Sequence, residues 1–224
     1  MALEEFMQTS TTDTAREPAA SKGPDWLVVA AAGSGGPQAL AQMFPRFPAN
    51  FPGTIIIIQH MRPGFTRVLA DQLNHICQLP VHEASDGEAL QAGRILMIPA
   101  ATSLTIEPGD QASGHPYVFF LDSTKKPAEQ AGRVDNAMRC AVELFGKKTI
   151  GVLLTGLGSD GCEGLRAISQ ASGTALVQDE NTSIVHDLPA SAIRAGVAHE
   201  VLPLWGIADR IMEIVTGDAN ALAA

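Results

Sequence analysis

Apolar runs and amphipathic segments alternate along most of this chain. The runs at 26–29, 54–58 and 150–154 contain no charged residue, which is typical of strands buried on both faces of a sheet. The segment 65–76 is different, because its apolar residues recur every three or four positions. That spacing predicts an amphipathic helix. Its apolar face comprises Phe65, Val68, Leu69, Leu73 and Ile76.

The full pattern predicts strands and helices in alternating order. The strands fall at 26–31, 54–59, 80–83, 94–98, 103–106, 117–121, 149–154, 175–177 and 200–202. The helices fall at 38–44, 65–76, 134–145, 164–171, 189–195 and 204–215. This alternation predicts an α/β fold, a three-layer, doubly wound and mostly parallel sheet with helices on both faces. Turn signals at Pro108-Gly109-Asp110 and Ser113-Gly114 predict a small antiparallel hairpin between the fifth and sixth strands.

One domain of ordinary size fits the length of 224 residues. Residues 1–24 are rich in Thr, Ser, Ala and charge and show no apolar period, so they are predicted to form a disordered tail. The folded domain is expected to span 25–217, with a short tail at 218–224.

The charge and hydropathy patterns narrow the class of partner. The formal net charge of −9 argues against nucleic acid or an anionic membrane as the main partner. The apolar runs are far shorter than a bilayer requires, so no membrane insertion is expected. The N-terminal MALEEF is acidic and lacks the long apolar stretch of a secretory signal. Together these features predict a cytoplasmic protein.

The cysteines and histidines do not show the spacing of metal ligands. Cys77, Cys140 and Cys162 are odd in number and are interpreted as reduced thiols. The histidines other than His60 are scattered, with no pair at ligand spacing. No metal and no cofactor is therefore predicted.

Three segments with polar or glycine residues directly follow predicted buried strands. They are AAAGSGGP at 30–37, QHMRPGF at 59–65 and TGLGSDG at 155–161. If the strands are parallel, all three segments emerge at the carboxyl edge of the sheet, where α/β folds bind ligands. The segments supply Ser34, His60 and Asp160, the groups that hydrolysis by an activated hydroxyl requires.

Simpler interpretations compete with this one. A serine in a glycine-rich turn often caps the following helix, a histidine can end a strand, and an aspartate is common in turns.

Two other site classes fit poorly. A dinucleotide-binding turn needs a glycine where Gln38 stands, and a nucleophile elbow needs one where Ala32 stands.

Four longer stretches carry a more specific signal. They are IIIIQHMRPGFTRVLADQLN (55–74), EASDGEALQAGRILMIPA (83–100), IGVLLTGLGSDGCEGL (150–165) and VQDENTSIVHDLPASAI (177–193). With them, roughly residues 26–216 resemble the catalytic domain of bacterial chemotaxis receptor methylesterases, the CheB type. The resemblance implies a Ser–His–Asp triad that removes methyl groups from methylated glutamates on chemoreceptor helices, releases methanol, and often deamidates receptor glutamines. The implied partners are methylated chemoreceptor-like protein helices.

The family's histidine and aspartate fall on His60 and Asp160 of this sequence, but its serine does not carry over. Where the family has Gly-Ala-Ser-Thr-Gly-Gly, this chain has AAGSGG at 31–36. The nucleophile position is therefore Gly33, and Ser34 is a displaced candidate nucleophile. The resemblance also implies an oxyanion and cleft region, formed by Gly33, Gly35, Gly36, Met61 and Leu188.

A second departure precedes the third helix. The family usually has Arg-Pro-Ser-Val-Asp, and this chain has AGRVD at 131–135. Because that segment lines the substrate cleft in the family, the family's substrate preference does not carry over directly to this chain. Family members also commonly carry an N-terminal receiver domain, for which residues 1–24 are too short. No control by phosphorylation within this chain is expected.

Three hypotheses for the site follow from the displaced hydroxyl. The glycine turn re-registers and Ser34 becomes the nucleophile. Alternatively, His60 and Asp160 activate water directly and give weak activity. In the third hypothesis the site is degenerate, and the protein binds receptors or other partners without turnover, since a triad without its nucleophile loses most of its rate.

Overall fold

The structure, a computed structural model, describes residues 23–110, 116–124 and 132–222, with residues 218–222 described by their backbone alone. Its centre is a sheet with the strand order β3-β4-β2-β1-β7-β8-β9, in which every neighbouring pair is parallel. The strands are β1 (Trp26–Ala32), β2 (Gly53–Gln59), β3 (Val81–Glu83), β4 (Arg94–Met97), β7 (Thr149–Leu153), β8 (Thr174–Gln178) and β9 (Glu200–Leu202). The predicted parallel sheet is confirmed.

A separate two-stranded ladder lies outside this sheet. Strands β5 (Ser103–Pro108) and β6 (Tyr117–Asp122) pair antiparallel, with Ser103 opposite Asp122 and Pro108 opposite Tyr117. The predicted hairpin is confirmed, although its turn signal at Ser113-Gly114 lies outside the described residues.

Six helices cover the two faces of the sheet in the described ranges. They are α1 (Gly36–Met43), α2 (Phe65–Ile76), α3 (Arg133–Phe145), α4 (Cys162–Gln170), α5 (Asp187–Arg194) and α6 (Leu204–Leu222). One hydrophobic core joins the sheet to α1, α2 and α6, and the other joins it to α3, α4, α5 and the β5–β6 hairpin. The predicted three-layer, doubly wound α/β architecture is therefore confirmed.

Burial on both faces explains the uniformly apolar strands. All seven residues of β1 and of β2 are buried. Alternate residues of β1 enter opposite cores, with Val28 on the α1 side and Val29 on the α3 side. A strand covered on both faces has no exposed position that would favour a polar residue. The polar side chains of these two strands are Thr54, near the start of β2, and Gln59, at its end beside the candidate site.

Several helices begin earlier than the sequence predicted. Helix α1 starts at Gly36 instead of 38, because Gly35 turns the chain in the left-handed region (φ +83°) and Pro37 is accepted in the first turn. Helices α4 and α5 start at Cys162 and Asp187 instead of 164 and 189. An acidic side chain, Glu163 or Asp187, lies in each of these first turns, where the helix dipole favours it.

The other boundaries differ only slightly, except at the C-terminal end. Helix α6 runs to Leu222, beyond the predicted end at 215 and into the predicted tail at 218–224. Residues 1–22, which include most of the other predicted tail, lie outside the described residues. The predicted domain limits stay a prediction. No helix in the described part of the chain is both long and apolar enough to cross a bilayer.

The strand order creates a crevice at one point of the sheet edge. β1 lies between β2 and β7, and the chain leaves β1 towards β2 on one side and returns to β7 on the other. In open α/β sheets, ligands bind beyond the carboxyl ends of the strands at such a switch point. The segments that follow β1, β2 and β7 all begin at this edge of the sheet.

Candidate active site

The backbone at the end of β1 is fixed on both sides. The Gly33 N–H donates to the Thr155 carbonyl at 2.9 Å, which extends the β1–β7 ladder by one step. The Gly33 carbonyl accepts from the Gly36 N–H at 2.9 Å and from the Gln59 side-chain amide at 2.8 Å. The glycine turn is therefore anchored to both neighbouring strands.

The steric constraint on a side chain differs at each glycine of the turn. Gly35 adopts φ +83°, which L side chains rarely take. At Gly36, an added Cβ would come within 2.0 Å of the Gln59 Oε1. Gly33 differs from both, since its φ lies outside the left-handed region and an added Cβ would meet the Gly156 Cα at 3.1 Å, a tight contact with backbone. The turn itself thus requires two glycines, while Gly33 is the one that leaves some room for a side chain.

Ser34 lies exposed at the top of this turn. Its carbonyl accepts from the Thr155 hydroxyl at 2.8 Å. Among the described residues, the Ser34 hydroxyl makes no hydrogen bond, so it is not joined to His60. The backbone N–H groups of Ser34 and Gly35 also have no acceptor there. These two N–H groups are available to an anionic oxygen at the start of α1.

His60 stands directly after β2, beside the same turn. Its N–H donates to the Ala32 carbonyl at 2.8 Å, and its carbonyl accepts from the Gln59 amide at 3.1 Å. The residue is exposed at the sheet edge, although its neighbours partly bury the imidazole ring. That burial lowers the pKa of His60 below 6.5, the nearby charge of Asp160 opposes the shift, and the charge of Arg133 adds to it. The imidazole is therefore neutral at pH 7, as a general base must be.

Asp160 binds the start of α3, and Asp135, which lies in α3, binds the start of α4. Asp160 accepts from the Val134 N–H (3.2 Å) and the Asp135 N–H (3.1 Å) at the start of α3. Asp135 accepts from the Gly161 N–H (2.9 Å) and the Gly164 N–H (2.7 Å) at the start of α4. Burial raises the pKa of Asp135, and the charge of Asp160 adds to this effect. The reciprocal bonds fix the Asp160 carboxylate within electrostatic range of His60.

A buried polar network supports the turn from behind. Gln59, at the end of β2, is 1% exposed and binds the carbonyls of Gly33 and His60. Gln178, at the end of β8, accepts from the Thr155 N–H at 2.7 Å and donates to the Thr182 carbonyl at 2.8 Å. Thr155 in turn binds the Ser34 carbonyl. The sequence analysis assigned these residues no role, although polar residues at the ends of apolar strands were a visible signal.

The two predicted cleft residues lie on opposite sides of the crevice. Met61 is half-buried against the core on the α1 side. Leu188 is buried against the other core, and its N–H donates to the Gly156 carbonyl at 2.8 Å. The structure thus brings His60, Asp160 and the glycine turn to one crevice. Within the described residues, no hydrogen bond joins the Ser34 hydroxyl, the His60 ring and the Asp160 carboxylate to one another.

No group of three or more His, Cys, Asp and Glu side chains in the described ranges could hold a metal ion. Cys162 follows Asp160 by two residues, and its thiol contacts the Ser191 hydroxyl at 3.2 Å. Burial raises the pKa of Cys162, so the thiol is protonated at neutral pH. A protonated thiol is a weak nucleophile, so Cys162 is a poor candidate for nucleophilic chemistry.

A family model described as CheB methylesterase matches residues 28–211. This chain belongs to the CheB methylesterase family. Among the relatives is a protein-glutamate methylesterase/protein-glutamine glutaminase from Carboxydothermus hydrogenoformans, 42% identical over 83% of this chain and 54% of the relative. A protein of the same name from Thermotoga maritima is 37% identical over 84% of this chain and 54% of its own length. The chain therefore spans about half the length of these relatives.

The architecture agrees with the family assignment. The crystal structure of the Thermotoga maritima CheB methylesterase catalytic domain superposes with a TM-score of 0.78 and 35% identity, over 84% of this chain and 98% of that one. Membership of the CheB family, which the sequence motifs suggested, is confirmed. The roles of individual site residues stay predictions.

Proposed function

We propose that this domain hydrolyses methyl esters of glutamate side chains on chemoreceptor-like proteins, and that it can also deamidate glutamine. The names of its CheB relatives support this reaction class. The observation that carries the proposal is the neutral imidazole of His60, which lies within electrostatic range of the fixed Asp160 carboxylate and beside a turn with two unused N–H donors.

In the proposed reaction, His60 acts as general base, and the nearby Asp160 charge stabilises the imidazolium that forms. To hold the tautomer as well, the Asp160 carboxylate must come within hydrogen-bond reach of the ring. The Ser34 oxygen attacks the ester carbonyl, and its proton passes to the imidazole. The N–H groups of Ser34 and Gly35 stabilise the oxyanion. Methanol leaves with the proton from His60, and water then hydrolyses the acyl-serine to the glutamate carboxylate and the free hydroxyl. For this route, the Ser34 hydroxyl must come within about 3 Å of the imidazole, which needs rotation of its side chain or of the turn.

A second route uses water in place of Ser34. The hydrogen bonds of the Gly33 and Ser34 carbonyls oppose a shift of the turn, because re-registration would break contacts with Gln59, Thr155 and Gly36. Each such bond contributes about 1 kcal/mol. With the turn in place, His60 deprotonates a water molecule that attacks the ester directly. This route gives the same products without a covalent intermediate.

The competing function is binding without turnover. It is supported by the absence of a side chain at Gly33 and by the unbonded hydroxyl of Ser34. A degenerate site of this kind keeps the cleft and the receptor-binding surface but loses the rate.

Methanol release from methylated receptor, combined with labelling by a fluorophosphonate, separates these possibilities. Labelling at Ser34, with loss of both labelling and methanol release in Ser34→Ala, supports the serine route. Release that persists in Ser34→Ala but disappears in His60→Ala supports the water route. A wild-type protein that binds methylated receptor, is not labelled and releases no methanol overturns the proposed hydrolysis and leaves the binding function.

A further inference from the structure

Arg133 is a buried cation in the site. The fold uses only part of its hydrogen-bonding capacity, and the proposed reaction assigns it no role. It begins α3 and is only 8% exposed. It also stands in the segment 131–135, where this chain differs from the family pattern, at the position where the family usually has serine. The guanidinium is therefore a departure from the usual family pattern.

The hydrogen bonds of Arg133 occupy one edge of its guanidinium. Nε donates to the Thr102 carbonyl at 2.7 Å, and Nη2 donates to the Pro99 carbonyl at 3.3 Å. A guanidinium has five N–H donors. Within the described residues, the remaining three have no acceptor. These are the two on Nη1 and one on Nη2, which form the end-on fork that binds carboxylates in a bidentate manner.

Arg133 also lacks an ion-pair partner in the described part of the chain, unlike the surface arginines Arg46 and Arg210. Its charge nevertheless acts on both Asp160 and His60. Because the backbone N–H groups of the next two residues, Val134 and Asp135, are bound to the Asp160 carboxylate, the chain itself holds Arg133 beside that group. A buried charge without a full set of partners is costly, which favours a ligand of opposite charge at this place.

We propose that Arg133 is a specificity residue that binds a carboxylate of the protein substrate beside His60 and Asp160. The inference rests on the proposed function for the identity of the substrate, but not for the binding itself. Two sources supply the same chemistry. One is the glutamate carboxylate that ester hydrolysis produces, and the other is a glutamate that neighbours the modified residue.

Binding of small blocked peptides tests this without methanol release, and any conversion of glutamine to glutamate is followed in the same NMR spectra and excluded from the affinity measurement. Acetyl-Ala-Glu-Ala-amide and acetyl-Ala-Gln-Ala-amide differ by one charge and mimic the carboxylate product and a neutral substrate. A second pair places glutamine at the target position and either glutamate or glutamine next to it. The dissociation constants are measured by NMR titration, with the His60 ring signals reporting binding at this crevice.

For the wild type, we expect at least one charged peptide to bind about tenfold tighter than its neutral partner, the preference that one charge-assisted hydrogen bond gives. The pair that shows the preference identifies the source of the carboxylate. In Arg133→Ser the preference falls to about onefold, and in Arg133→Lys it is reduced but retained, since lysine keeps the charge and lacks the fork. Arg139→Ser, an exposed arginine on the same helix, leaves the preference unchanged.

The ratio of two affinities within one variant does not depend on the folded fraction, so a partly unfolded Arg133→Ser still gives an answer. Equal affinity of wild type for charged and neutral peptides overturns the proposal. The same holds if Arg133→Ser keeps the full preference, which would leave Arg133 a purely structural link to Thr102 and Pro99. Absence of methanol release, by contrast, counts against the proposed function alone.

Discussion

The turn after β1 and the turn after β7 reach the same crevice, and they differ in what they present to it. The turn after β7 delivers Asp160, whose two carboxylate oxygens are bound by N–H groups of α3. The turn after β1 delivers a backbone that is just as well held, through Gln59 and Thr155. It carries no side chain at Gly33, however, and the Ser34 hydroxyl is unbonded in the described part of the chain.

This difference shows that the conformation of the glycine turn does not depend on a hydrogen bond to the candidate nucleophile. The bonds that join the glycine turn to its neighbours run from its carbonyls to side chains at the ends of β2 and β7 and from the Gly33 N–H to the Thr155 carbonyl. None of them involves the hydroxyl at position 34. A glycine at position 33, without a side chain, is therefore compatible with an intact scaffold. A scaffold of this kind can be probed one side chain at a time.

The largest expected effect comes from disabling the turn after β7. Asp160→Asn removes the negative charge that acts on the imidazole, and methanol release should fall by about 10³-fold or more. The matched control is Asp187→Asn, because the Asp187 carboxylate binds the Gly158 N–H of the same loop at 2.8 Å without acting on His60. Equal losses in the two variants would show that loop order, and not the charge beside His60, is what matters.

Restoring a side chain to the turn after β1 should produce the next largest effect. Gly33→Ser places a hydroxyl at the family's nucleophile position, and we expect methanol release to rise about tenfold or more. The backbone conformation accepts the change, although the new Cβ must displace Gly156 slightly from 3.1 Å. Activity of Gly33→Ser that survives the added Ser34→Ala would assign the gain to position 33. Absence of any gain would mean that the cleft differs by more than one side chain.

The bracing of the turn predicts a smaller effect on stability. Gly36→Ala drives a methyl group to 2.0 Å from the Gln59 Oε1, and the free energy of unfolding should fall by about 2 kcal/mol. Gly217→Ala is the control, since its Cβ meets open space within α6. It should raise stability by about 0.5 kcal/mol, because alanine favours a helix. Chemical denaturation measures both. A neutral Gly36→Ala would mean that Gln59 moves aside and does not brace the turn.

The smallest expected effect is on the titration of His60, followed by NMR of its ring. The folded-state pKa lies below 6.5, so the base form persists as the pH falls and is lost only when the pH passes through that lowered pKa. Activity should fall with protonation in the same window. Asp160→Asn should lower the pKa further, because it removes an attractive negative charge. Arg133→Ser should raise it. Shifts in the same direction in both variants would contradict this account.

The sequence determined the architecture and the composition of the crevice. Uniformly apolar runs separated by amphipathic helices leave few arrangements other than a parallel sheet covered on both faces, so the layers were predictable. The same logic placed the residues after β1, β2 and β7 at one edge. Compared with the family pattern, the register of the glycine pair predicted that Gly33 occupies the nucleophile position.

The tertiary structure alone decided how these groups are held and which are left free. Several helices start earlier than predicted because a left-handed glycine or an acidic first turn sets the helix start at single residues. The periodic spacing of apolar residues does not reveal such local effects. The exchange of hydrogen bonds between Asp135 and Asp160, the anchoring of the turn by Gln59 and the open edge of Arg133 join residues far apart in the chain. Side-chain hydrogen bonds are directional and short, so a linear sequence names the donors and acceptors, whereas only the packed fold brings them within bonding distance.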